Sequence, residues 1–93
     1  MTNKILKFLR ENLPHGEEYA VDNVALSREE LVGFLTGSLV ERTNLYEVFP
    51  FSIKGEGEFE LVLSNNVLRI DYVILNEHGI PHDYVPYACI VLE

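Results

Sequence analysis

Ninety-three residues suit one compact domain spanning 1–93 with a single core and exclude a multidomain enzyme. Fifteen Asp and Glu against seven Lys and Arg give a net charge of −8, which repels the phosphate backbone that dominates nucleic-acid affinity, so direct DNA or RNA binding is not expected. Cys89 is the only cysteine, which rules out an internal disulfide and a multi-cysteine zinc site and fits a reducing, cytoplasmic setting.

The N-terminal segment Thr2 to Leu13 places Ile5, Leu6, Phe8, Leu9 and Leu13 on one side of a helix and Lys4, Lys7, Arg10 and Glu11 on the other. Those charges interrupt any signal-peptide core, and no 18-residue apolar run follows, so no membrane association is expected. Pro14 and the His15-Gly16 pair end the helix. From Glu17 to Leu26 neither the two-residue nor the 3.6-residue period holds, and the segment reads as a connection with room for a short strand.

Ser27-Arg28-Glu29-Glu30 is a capping box, with Leu26 and Leu31 at the flanking staple positions, and predicts a second helix from Arg28. Leu31, Phe34, Leu35 and Leu39 give it an apolar stripe, and Thr43-Asn44 closes it. Gly33 and Gly37 each cost a helix up to about 1 kcal/mol relative to alanine, which implies another element packed close against them, or a second copy.

Beyond Leu45 the period changes to two. Four strands are expected near Leu45–Ile53, Glu58–Ser64, Val67–Asn76 and Tyr84–Leu92. Pro50 and Pro86 place the first and last at the sheet edges, and Gly55 and Gly57 mark a hairpin bend. The expected class is α+β: two N-terminal helices packed on one face of a four-stranded antiparallel meander, ααββββ.

Asn65-Asn66 suits a two-residue turn with positive φ at both centres. Pairing Ser64 with Val67 then sets Leu63 against Leu68, Leu61 against Ile70 and Phe59 against Tyr72, all large and apolar, on the core face. The opposite face pairs Val62 with Arg69, Glu60 with Asp71, and Glu58 with Val73. Two like charges face each other there, an arrangement that destabilises a strand pair. If the strand reaches Glu56, then Glu56, Glu58 and Glu60 form a row about 6.7 Å apart.

His78, His82, Asp83 and Cys89 are residue types that bind zinc, but Gly79 and Pro81 prevent the helix that would stack the histidines, and Cys89 is expected to be buried. No nucleophile and base stand at a spacing that implies catalysis. The chain is therefore read as a non-enzyme without cofactor or metal. Its expected role is a small acidic inhibitor docking on a basic protein partner, such as a nuclease or nucleic-acid-binding effector. Immunity proteins and phage counter-defence proteins, including anti-CRISPRs, act in this manner. The candidate docking residues are Glu56, Glu58, Glu60 and Asp71, with Tyr84 and Tyr87 as aromatic anchors. The first sixteen residues hold three basic and one acidic side chain and the remainder four basic and fourteen acidic, an asymmetry that would accelerate such an encounter. The alternatives are a homo-oligomerising module, a homodimer in its simplest form, and a small ligand- or metal-binding domain.

Overall fold

The computed structural model describes residues 2–41 and 45–92. In chain order it has α1 (Thr2–Asn12), β1 (Tyr19–Val21), β2 (Val24–Leu26), α2 (Arg28–Val40), β3 (Tyr46–Ile53), β4 (Gly57–Ser64), β5 (Val67–Leu75) and β6 (Pro81–Val91). The strands form one antiparallel sheet in the order β2-β1-β3-β4-β5-β6. The class is α+β, but the ααββββ arrangement is corrected: the sheet has six strands rather than four, and a hairpin separates the two helices.

The extra hairpin has a clear cause. Asp22 and Asn23 both adopt positive φ, as Asn65 and Asn66 do, and such pairs close two-residue turns whose twist matches the strands. Each flanking strand is only three residues long, too short to display a period. The hairpin joins β3 through just Tyr19↔Ile53 and Ala20↔Ser52, so β3 from Tyr46 to Phe51 has no strand beside it on that side. Pro50 falls within this open stretch, which is how a proline fits a strand inside the sheet.

The capping box forms as expected: Ser27 Oγ accepts from the Glu30 N–H at 3.1 Å while Glu30 Oε1 accepts from the Ser27 N–H at 2.8 Å. The helix ends at Val40, capped by Glu41; Thr43 and Asn44 lie outside the described residues. Its buried stripe is Leu31, Val32, Leu35, Thr36 and Leu39, and Phe34 is exposed instead. Gly33 and Gly37 also face outward, with nothing within 4 Å of where a Cβ would stand, so close packing against them is overturned. With no contact to lose, Gly33→Ala and Gly37→Ala should each stabilise the domain by about 0.5–1 kcal/mol. The readout is a higher urea midpoint at unchanged slope.

One hydrophobic cluster joins Ile5, Phe8, Leu9 and Leu13 of the α1 region and Leu31, Leu35 and Leu39 of α2 to one face of the sheet. That face contributes Phe51 and Ile53, Phe59, Leu61 and Leu63, and Leu68 and Ile70. The register of the β4–β5 hairpin is as deduced, from Ser64↔Val67 to Glu58↔Val73. Both helices therefore sit on the same side, and the other side of β3–β6 carries none.

Candidate binding face

Alternation along the strands sends Tyr46, Val48 and Pro50 of β3 to the uncovered face, together with Glu58, Glu60 and Val62 of β4. Arg69, Asp71, Val73 and Leu75 of β5 join them. Val62 and Val73 are buried although they lie outside the helix-covered cluster; their neighbours on the same face cover them. A shallow depression of about 370 Å³ crosses this face, lined by Tyr46, Val48, Glu60, Val62, Arg69, Asp71 and Tyr84. A second, of about 200 Å³, adjoins it at Glu60 and continues past Pro50, Glu58, Val73 and Leu75 to Pro81. Tyr46, Leu75 and Tyr84 remain exposed around the hollows.

The acidic residues are not equivalent. Asp71 is only 3% exposed, and its Oδ1 accepts from Arg69 Nε at 2.7 Å. That hydrogen bond, ahead of the attraction between the two charges, raises the Arg69 pKa further above its ordinary value. Asp71 is thus ion-paired in place rather than an open carboxylate. Its partner stands two residues along the same strand, on the same face.

Glu60 lies directly across from Asp71 as expected. Burial on the sheet face, and next the Asp71 carboxylate, push its carboxyl above the usual range, with Arg69 pulling the other way. A raised folded-state pKa means that ionisation of Glu60 weakens the fold. The favourable contribution is complete when the group is protonated in both states and is lost as pH rises through its folded-state titration. Glu60→Gln should therefore be more stable than the parent at neutral pH and indistinguishable from it below about pH 4. Urea midpoints across that range give the comparison.

Glu58 is exposed on the same face. Glu56 is not in line with it, because β4 begins at Gly57 and Glu56 sits in the turn. Gly55 and Gly57, at φ +90° and +123°, make that bend, and a Cβ on Gly57 would stand 3.1 Å from the Tyr72 ring. The expected row of three glutamates is therefore two, with Glu56 displaced toward Glu18 and Lys54 around a separate hollow.

The two anchor tyrosines part company. Tyr84 pairs with Val73 and lines the depression. The ladder then passes from Asp71↔Pro86 to Ile70↔Ala88, which leaves Tyr87 as an extra, unpaired residue. Tyr87, three residues beyond Tyr84 and therefore on the opposite side by alternation, meets Phe59 on the helix side, ring centroids 6.2 Å apart and edge to face. The bulge shifts the alternation only from Ala88 onward. Tyr46, Val48 and Val62 complete the face and were not among the expected site residues; the only signal for them was register, with Tyr46 opposite Ser64 and Val48 opposite Val62.

Cys89 is exposed on β6, not buried, because the bulge at Tyr87 turns it opposite Arg69 onto the uncovered face. His78 is exposed and 3.6 Å from Glu77, and Asp83 accepts from the Tyr84 N–H. Among the described residues no three His, Cys, Asp or Glu side chains converge as metal ligands. No described helix is long and apolar enough to cross a membrane. Comparison with protein families, curated proteins and solved structures returns no match.

Proposed function

We propose that this chain is a binding module that uses the uncovered face of β3–β6 to occlude a basic surface on another protein, such as the nucleic-acid-binding surface of a nuclease or effector. The observation that carries this reading is a one-sided sheet. Helices cover one face, while the other exposes Tyr46, Leu75 and Tyr84 around hollows edged by Glu58 and Glu60. Aromatic anchors beside half-buried polar groups are what energetically important interface centres consist of. Neither Glu58 nor Glu60 is ion-paired among the described residues, so a partner's cations would meet unmatched carboxylates. The net charge of −8 would add rate and salt sensitivity to that encounter.

The test is affinity capture from cells of the source organism at low salt, using the parent chain, Glu60→Lys and Tyr84→Ala. The parent should retain a basic protein that salt releases, and each variant should lose at least tenfold in affinity while keeping its fold. Capture that both variants leave unchanged would refute the reading. Light scattering run alongside addresses the main rival: a concentration-dependent dimer mass that Tyr84→Ala abolishes would make the face a self-association surface instead.

A further inference from the structure

We infer that the outer edge of β6, where α1 runs beside it, is a second binding site, and that it takes a short acidic peptide segment in extended form as an added strand. This site is independent of the uncovered sheet face and of the function proposed for it.

A groove of about 390 Å³ separates α1 from β6. Lys4, Lys7, Phe8, Glu11 and Asn12 line it on the helix, and Cys89 and Ile90 on the strand. The helical residues are spaced by three and four and so form one side of α1. β6 is the last strand of the sheet, and an edge strand presents backbone N–H and C=O groups that another strand can pair with. A free sheet edge flanked by a helix, with an apolar floor for alternate side chains, is the arrangement that receives an extended peptide by strand addition. Phe8 and Ile90 supply that floor.

The length of the segment follows from the irregularities of β6. Its ladder skips His82 and Tyr87, and Pro86 has no N–H to offer. Bulges and proline of this kind blunt an edge against continuous pairing, which disfavours a second copy laid along all of β6. The longest run free of both bulge and proline is Ala88–Val91. Four strand residues cover about 13 Å, and the helix axis from Lys4 to Asn12 covers about 12 Å. The groove and the regular edge are therefore matched in length.

Charge selects the occupant. Lys4 and Lys7 have no ion-pair partner among the described residues, and Glu11 is the one carboxylate lining the groove. In a chain of net charge −8 this is a locally positive strip, complementary to Asp or Glu side chains of an added strand.

The experiment is selection of a random octapeptide library on the immobilised full chain, followed by binding measurements on the enriched peptides. Enriched peptides should combine Asp or Glu with β-branched residues and shift the amide resonances of Ala88–Val91. Lys4→Glu/Lys7→Glu, a change at two exposed positions checked for folding by circular dichroism, should weaken them about tenfold. Glu60→Lys should leave them unaffected, which separates this site from the sheet face. The proposal is overturned by no enrichment, by enrichment of basic or uncharged peptides, by acidic peptides that bind the double variant equally well, or by peptides that leave the amide resonances of Ala88–Val91 unmoved.

Discussion

Arg69→Met is expected to destabilise the domain by about 3 kcal/mol, far more than removal of a surface ion pair. The Asp71 side chain is almost fully enclosed, whereas that of Arg69 is 38% exposed, so the substitution removes the partly solvated member and leaves a buried carboxylate without its counter-ion. Glu60, directly opposite Asp71, adds repulsion that Arg69 had offset. An exposed pair such as Arg10–Glu29, at 3.5 Å, should by contrast contribute no more than about 1 kcal/mol. The double variant Arg69→Met/Asp71→Val should recover most of the loss, because a buried pair replaced as a whole by apolar side chains leaves no stranded charge. Urea unfolding of parent, both single variants and the double variant gives the coupling energy. A coupling below about 0.5 kcal/mol would show that the pair behaves as a solvated surface bridge.

Phe59→Ala should be at least as damaging, at about 4 kcal/mol. The ring is 4% exposed and touches three others: Phe51, stacked at 5.7 Å, and Tyr72 and Tyr87, edge to face at 5.2 and 6.2 Å. Its removal forfeits transfer free energy, leaves a cavity in a central strand, and releases the contact that holds Tyr87 toward the helices. A domain of this size is expected to have about 5–14 kcal/mol in total, so thermal unfolding should fall by well over ten degrees. Phe59→Leu, which keeps most of the volume, should lose less than half as much.

The contrast between legible and illegible parts of this fold follows from how much local chemistry each part carries. The β4–β5 register could be worked out because turn residues and a pattern of six large apolar side chains agreed independently, and α2 because its capping box satisfies both partners at once. The β1–β2 hairpin escaped: three residues per strand cannot establish alternation, and Asp22-Asn23 stood without long flanking runs. On the candidate face, Glu60 opposite Asp71 was readable from register alone. The partnership of Asp71 with Arg69 depended on a same-strand, two-residue spacing that register does not rank above a diagonal contact to β4. Tyr84 and Tyr87, three residues apart, fall on opposite faces by alternation, a distinction that Pro86 between them obscured, and Cys89 was misplaced because the bulge at Tyr87, which leaves no mark in hydrophobic alternation, turns it opposite Arg69 onto the uncovered face.

The joint between β1 and β3 has a kinetic consequence. From β4 to β6 every strand pairs with its predecessor, so most native strand pairings are close in sequence and their loop-closure entropy is small. Only Tyr19↔Ile53 and Ala20↔Ser52 must close a long loop that includes all of α2, and two residue pairs return little for that loss. The meander should accordingly assemble early, with the β1–β2 ribbon annealing to it after the rate-limiting barrier. Substitutions at that seam would then speed unfolding without slowing folding.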